Sequence, residues 1–237
     1  MELLKDKVCI VTGAARGIGR SITEVFASEG ASVYAFDVLE GAAIDRVYPI
    51  VCDICNISQV RSVIMDIKKK HGKIDVLVNC AGIVTYELLS MIDFDKLRKM
   101  FEVNVISLIN LMQLCSRVMF RQKSGSIINI ASMVGKQGAT GQLAYSATKG
   151  AVISATLSAS KELASSHIRV NAVAPGMVAT ERFSQVMQAN FEEKANDIRW
   201  GRLARPDEIA KACLFLASDM SEYITGQVMG VDGSLIL

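Results

Sequence analysis

A doubly wound α/β domain, with a seven-stranded parallel sheet and helices on both faces, is what this sequence predicts, and three observations predict it. Seven short runs rich in Val and Ile recur along 237 residues, longer amphipathic stretches separate most of them, and a glycine-rich turn joins the first run to the first helical stretch. Strands that alternate with helices lie parallel, because each helix carries the chain back across a face of the sheet. The length suits one large domain spanning 1–237, and no repeat or linker divides it.

The first strand is Val8-Cys9-Ile10-Val11 and the second Ser32-Val33-Tyr34-Ala35-Phe36, with a helix near 18–29 between them that Gly30 ends. From Asp37 to Val47 the chain is too short and irregular for a crossover helix, so a reduced helix or an extended connection is expected before the third run, Tyr48-Pro49-Ile50-Val51. Ser58 is placed to cap a helix that starts near Gln59 and covers 58–70. The fourth run is Asp75-Val76-Leu77-Val78, followed by a helix over 94–121 and the fifth run, Ser126-Ile127-Ile128-Asn129-Ile130. A helix over 146–165 leads to the sixth, Ile168-Arg169-Val170-Asn171-Ala172-Val173. Arg205-Pro206-Asp207-Glu208 sets Pro and acids at the start of a helix over 206–217, and the last run is Gln227-Val228-Met229-Gly230-Val231. The stretch from Tyr145 to Ser166 is rich in Ala and Ser on more than one face. That pattern fits either a helix with one face on the sheet and another on a partner subunit, or simple helix propensity.

Composition excludes several classes. Lys plus Arg is 26 and Asp plus Glu is 24, so 26 − 24 = +2, too near balance for the sustained field that nucleic acid or an anionic membrane demands. Mean hydropathy is high at +0.32, yet charge, Gly or polar residues interrupt each apolar stretch short of the roughly 20 residues of a membrane span. Met1-Glu2-Leu3-Leu4-Lys5-Asp6-Lys7 has no apolar signal region, so a cytoplasmic protein is expected. Cysteines at 9, 52, 55, 80, 115 and 213 sit mostly in apolar runs, as reduced core thiols do. Cys52 and Cys55 make one C-x-x-C, which no second pair or His cluster completes into a metal site. His71 and His167 fall at helix ends, where surface or capping roles are expected of them.

The chemistry concentrates in two places. Thr12-Gly13-Ala14-Ala15-Arg16-Gly17-Ile18-Gly19 follows a strand and opens a helix, where glycines allow close backbone approach and unpaired helix N–H groups face a pyrophosphate. Asp37 closes the second run, placed to accept hydrogen bonds from adenosine ribose hydroxyls and to repel a 2′-phosphate, which favours NAD(H) over NADP(H). Arg16 pulls the other way, keeping NADP(H) possible, or else serves as a loop charge or a partner for Asp37. Asp53 is placed to meet the adenine amino group, or to form a turn. Further on, Tyr145-Ser146-Ala147-Thr148-Lys149 sets a phenol and an ammonium at i and i+4 on one helix face. A phenol of pKa ~10 is a poor acid–base group at neutral pH, and a nearby cation brings it closer to use. Upstream, Ile130-Ala131-Ser132 ends a strand with a hydroxyl.

On these motifs the chain resembles the short-chain dehydrogenase/reductase family over nearly its whole length. The resemblance covers Thr12 to Gly19, Asn79-Cys80-Ala81-Gly82 after the fourth strand, Asn104, Ser132, Tyr145 and Lys149, and Pro175-Gly176-Met177-Val178-Ala179-Thr180 after the sixth. It implies a Rossmann-type fold and a catalytic tetrad of Asn104, Ser132, Tyr145 and Lys149. Ser132 and Tyr145 are implied to bind the substrate oxygen, Tyr145 to exchange its proton, Lys149 to hold the nicotinamide ribose, and Asn104 to help hold a relay water. The cofactor wall it implies comprises Gly13, Arg16, Gly17, Ile18, Gly19, Asp37, Asp53, Ile54, Asn79, Ala81, Gly82, Tyr145, Lys149, Pro175, Gly176, Val178 and Thr180, with no metal. Cys80 stands where the family usually has Asn.

Within the family the chain is most similar to 3-oxoacyl-(acyl carrier protein) reductases, on Ser132-Met133-Val134-Gly135, Gly141-Gln142-Leu143-Ala144-Tyr145 and Ile224-Thr225-Gly226-Gln227. This implies an acyl-thioester or other small-molecule substrate and a homotetramer. Ser124 to Ser126 and Ser165 to Ser166 stand where a basic patch would help to dock an acidic carrier. The short connection after Asp37 is similar to NAD-dependent dihydrodiol-type dehydrogenases, so oxidation of a sugar, steroid or cyclic diol is the alternative. The intact tetrad weighs against a non-catalytic cofactor-binding regulator. The segment near 181–202, with Phe183, Val186, Met187, Phe191 and Trp200, is expected either to cover the substrate or to pack on the core.

Overall fold

The computed structural model describes residues 2–181 and 197–236. Its strands are β1 (Val8–Thr12), β2 (Ser32–Asp37), β3 (Val47–Val51), β4 (Val76–Asn79), β5 (Gly125–Ile130), β6 (Ile168–Pro175) and β7 (Val228–Val231). They pair in parallel throughout, in the order β3-β2-β1-β4-β5-β6-β7. All seven runs read from the sequence are strands, with ends moved by one or two residues. Asp75, just before β4, still bonds by its backbone to Val8 and Ser126 on the neighbouring strands, while its carboxylate accepts the Val8 N–H at 2.7 Å and pairs with Lys73 at 3.0 Å.

Side chains alternate across the sheet, as the two-residue period of a strand requires. Cys9, Val11, Val33, Ala35, Val76, Val78, Ile128, Ile130 and Val173 face one layer, formed by α1 (Gly17–Ser28) and the last helix, Pro206–Ala217. Val8, Ile10, Tyr34, Phe36, Leu77, Ile127, Val170, Ala172 and Ala174 face the other, where α2 (Ile57–His71), α4 (Ser107–Gln122) and the helix Leu143–Leu163 lie. Phe26, Phe36, Ile10, Leu77 and Ile127 are fully buried in these two cores. Each such side chain contributes about 1.5–3 kcal/mol of transfer free energy.

Several local expectations are corrected. The cap of α2 is Asn56, not Ser58: its side chain accepts the Gln59 N–H, and Ser58 lies inside the first turn. The helix expected over 94–121 is three segments, α3 (Phe94–Phe101), a π-helical turn at Glu102–Ile106, and α4. Together Phe94–Gln122 is long and apolar enough to cross a bilayer, but Met100, Leu108, Leu111, Cys115 and Met119 are buried inside the protein. The helix expected over 146–165 begins earlier, at Leu143, so Tyr145 lies in its first turn. Between Asp37 and Val47 no helix forms, so of the two alternatives the extended connection is the one adopted. Pro49 falls on β3, an edge strand, where a missing N–H does least harm. Gly30 follows α1 with φ +89°, and its N–H closes on the Ala27 carbonyl at 3.0 Å.

The winding runs outward from β1 to β2 and β3, then crosses to β4 on the opposite side. This reversal opens a crevice over the C-terminal ends of β1 and β4, the place where open α/β sheets bind ligands.

Candidate active site

A cavity of about 510 Å³ occupies that crevice. Its floor is the turn between β1 and α1, where Gly13 and Gly17 adopt φ +66° and +57°. A Cβ on Gly13 would stand 2.8 Å from the Ala81 Cα, so only glycine lets the two loops meet. Thr12 Oγ1 fastens them, accepting the Cys80 and Ala81 N–H groups at 3.0 and 3.1 Å. Arg16, extended at the N-cap of α1, makes no side-chain cap, and the first turn of the helix carries no acid. The helix start therefore keeps its donors and its positive dipole end for an anion. The Thr180 methyl covers this turn, at 3.4 Å from where a Gly17 Cβ would be.

At one end of the cavity stand two carboxylates. Asp37 accepts the Ala15 N–H on one oxygen and the Leu39 N–H on the other, both at 3.0 Å, so it is fixed facing the glycine turn. Asp53 both forms a turn, accepting the Cys55 N–H at 2.9 Å, and lines the cavity with Ile54. At the other end are Tyr145 and Lys149. Lys149 is buried, donates to the Ile130 carbonyl at 2.6 Å, and holds its Nζ 5.7 Å from the Tyr145 ring centroid. Burial penalises the ammonium and pulls its pKa down to about 8. Gly135 packs against the Lys149 backbone, where a Cβ would come within 2.7 Å of the Lys149 carbonyl carbon.

Asn104 sits in the π-helical turn, behind the wall. Its Oδ1 accepts the Ile83 N–H at 2.8 Å, and its Nδ2 donates to the Ile83 carbonyl and to Thr148 Oγ1 at 2.9 and 3.1 Å. Both Nδ2 donors are thus used and Oδ1 accepts one bond, which joins the π-helical turn, the β4 loop and the Tyr145 helix. A Cβ on Gly82 would sit 3.3 Å from Asn104 Oδ1 and 3.6 Å from Lys149 Nζ, so these two groups converge on that glycine.

The crevice thus gathers Gly13, Arg16, Gly17, Ile18, Gly19, Asp37, Asp53, Ile54, Ala81, Gly82, Tyr145, Lys149 and Thr180 from the predicted set in one wall. Others support it from behind. Asn79 is buried and donates to Asn129 Oδ1 at 2.9 Å, linking β4 to β5. Gly176 packs where a Cβ would meet Asp232, Pro175 ends β6 by accepting the Met133 N–H, and Val178 is buried beneath Thr180. Ser132, half-buried at the end of β5, accepts the Val134 N–H at 3.4 Å. Phe36, Val38, Cys80, Lys99, Val103 and Glu181 line the cavity without having been singled out for it. The Cys80 thiol is pushed up to about 12, by burial above all, which disfavours the thiolate. Of the segment near 181–202, Phe183, Val186, Met187 and Phe191 lie outside the described residues, while Trp200 is exposed.

A glycine turn at an uncapped helix start, acids at one end and a phenol with an ammonium at the other fit a nicotinamide dinucleotide in chemistry. A family profile described as Enoyl-(Acyl carrier protein) reductase matches residues 13–235. The chain belongs to the short-chain dehydrogenase/reductase family and is an oxidoreductase. It is 40% identical over 245 residues to the 3-oxoacyl-(acyl-carrier-protein) reductase FabG of Thermotoga maritima, covering 99% of each chain. It is 35% identical to a 3alpha-hydroxysteroid dehydrogenase of Mediterraneibacter gnavus, covering 98% of each. Among solved structures, the ligand-free aldohexose dehydrogenase of Thermoplasma acidophilum superposes with a TM-score of 0.91 at 34% identity, over 98% of this chain and 94% of that one.

Proposed function

We propose that this protein reduces a 3-oxoacyl thioester, or oxidises the corresponding secondary alcohol, with NAD(H), and that Asn104, Ser132, Tyr145 and Lys149 carry the reaction. The observation behind this reading is the buried Lys149 ammonium beside the Tyr145 ring, on the wall of the cavity that the glycine turn also lines. A bound nicotinamide supplies or accepts the hydride. Tyr145 holds the proton exchanged at the substrate oxygen, and Ser132 donates a second hydrogen bond to that oxygen as it gains charge. Lys149 stabilises phenolate charge and holds ribose hydroxyls. Asn104 acts by position, fixing Ile83 and Thr148 so that Gly82 leaves space beside Lys149.

The full-length relatives named FabG support the acyl substrate. Asp37, fixed by two backbone N–H groups, supports NAD(H), while Arg16 beside it leaves room for NADP(H). The second reading, a sugar or steroid alcohol, is supported by that same Asp37 and by the relatives named for aldohexose and steroid substrates. A cytoplasmic homotetramer is part of this proposal. Ile106 and Ile109 stand exposed on the helical run that ends at Gln122, and Leu143 and Leu157 on the helix Leu143–Leu163. Exposed apolar side chains of this kind suit a face that a second copy covers.

The test is Tyr145→Phe, assayed with acetoacetyl thioesters, sugars and steroids while NADH absorbance is followed. NADH binding is expected to survive and turnover to fall by about 10²–10⁴. An unchanged rate in the variant rejects the mechanism, and turnover confined to sugars or steroids rejects the acyl substrate.

A further inference from the structure

The adenosine end of the cavity carries one charge with no part in the mechanism above. Lys99, in the last turn of α3, lines the cavity together with Val103, four residues on, beside Asp53 and Ile54. The other cations of α3 are engaged, Lys96 with Glu87 at 2.8 Å and Arg98 with Asp95 at 2.7 Å. Lys99 has no ion pair among the described residues, and its side chain is exposed at the rim. Its charge reaches the turn opposite: the Cys55 thiol is raised by burial and by Asp53, and Lys99 opposes them.

Opposite charges, Lys99 and Asp53, therefore line one cavity together with the apolar Val103 and Ile54. An adenine ring suits that arrangement. It offers an exocyclic amino donor to a carboxylate, ring-nitrogen acceptors to an ammonium, and two apolar faces to Val and Ile. Asp53 accepts the Cys55 N–H on one carboxylate oxygen and is also hydrogen-bonded to the Cys55 side chain, and a carboxylate, with about four acceptor positions on its two oxygens, can take an amino group besides.

We propose that Lys99 is a cofactor-positioning residue that closes over the adenine opposite Asp53. This rests on the dinucleotide reading of the cavity. Lys99 acts on affinity for the adenosine half alone, and a cofactor without that half does not sense it.

Fluorescence titration of the full chain with NADH, and with reduced nicotinamide mononucleotide, which lacks the adenosine half, tests this in wild type, Lys99→Ala and Lys99→Arg. Lys99→Ala is expected to raise the Kd for NADH about three- to fivefold, as loss of a partly exposed charge contact does. Lys99→Arg keeps the wild-type value within about twofold, because the cation is retained. Mononucleotide affinity stays the same in all three proteins. Equal NADH affinity in wild type and Lys99→Ala overturns the proposal, and so does a parallel loss for the mononucleotide. A wild-type chain that does not bind NADH overturns the dinucleotide reading as well, which separates the two failures.

Discussion

Lys149 is buried to 4% exposure, and its proton is bound less tightly in the fold than in the unfolded chain, where the value is 10.5 rather than about 8. That drop of about 2.5, at about 1.36 kcal/mol for each tenfold step, makes the buried ammonium unfavourable by ~3 kcal/mol at pH 7. Replacing it by Met, similar in length and apolar, removes this penalty. The replacement also takes away the hydrogen bond to the Ile130 carbonyl at 2.6 Å, a loss of about 1–2 kcal/mol. Lys149→Met is therefore expected to be more stable than wild type at pH 7 by about 1–2 kcal/mol, or roughly 2–8 °C in Tm for a domain of this size. Because the folded pKa is lowered, the penalty is full below about pH 8 and disappears as pH rises to 10.5, where the unfolded chain also loses the proton. The advantage of the variant should thus shrink above pH 8 and reverse near pH 10.5. Denaturant unfolding of both proteins without cofactor, at pH 7, 9 and 10.5, measures it. A variant less stable at pH 7, or a difference that ignores pH, refutes the account of Lys149 as a strained cation. Turnover should fall by at least about 10²-fold in the same variant, the pattern of a site that trades stability for function.

Asp37→Ala is expected to narrow the preference for NADH over NADPH, measured as kcat/KM with each nucleotide, because it removes the charge that repels a 2′-phosphate and leaves Arg16 in place. A clear wild-type preference for NADPH would overturn the assignment of Asp37. Sedimentation equilibrium is expected to give a tetramer, and Ile109→Asp, on the exposed face of α4, should shift it toward smaller species. A stable, active monomer of the wild-type chain defeats the assembly.

Strands and glycine turns were legible because their signals are local. Val8 to Val11 is apolar on both faces of the sheet, and the turn after it takes glycine at positive φ, so both can be recognised from local residues alone. The π-helical turn was not legible. Its extra residue moves Asn104 around the helix axis, but apolar residues on either side, Met100 and Leu108, keep an ordinary helical rhythm. The α2 cap failed for a different reason. Asn56 and Ser58 are both good capping types, and the choice was made by the Asp53 turn, which closes at Cys55 and brings Asn56 into position first. Lys99 and Val103 were missed because crossover topology, not sequence spacing, carries α3 to the adenosine end.

The same division explains why motif residues separated into those on the wall and those behind it. A motif records which residues recur together and not what each one touches. Gly13 is read from sequence as a phosphate-loop glycine, yet its lack of a side chain is also needed by Ala81, across the crevice. Gly82 makes room for Asn104 and Lys149 to converge, Gly135 admits the backbone of Lys149, and Gly176 admits Asp232. In each case the glycine is visible in the sequence, whereas the group that forbids a Cβ belongs to another element. Lys149 and Tyr145 are held by these close approaches more than by ion pairing: Lys149 has a carbonyl and packed glycines around it, and among the described residues it makes no ion pair. Under the proposed mechanism an acidic partner would hold the cation equally well but would cancel the charge that a Tyr145 phenolate would use, so packing is the means of positioning that leaves that chemistry intact.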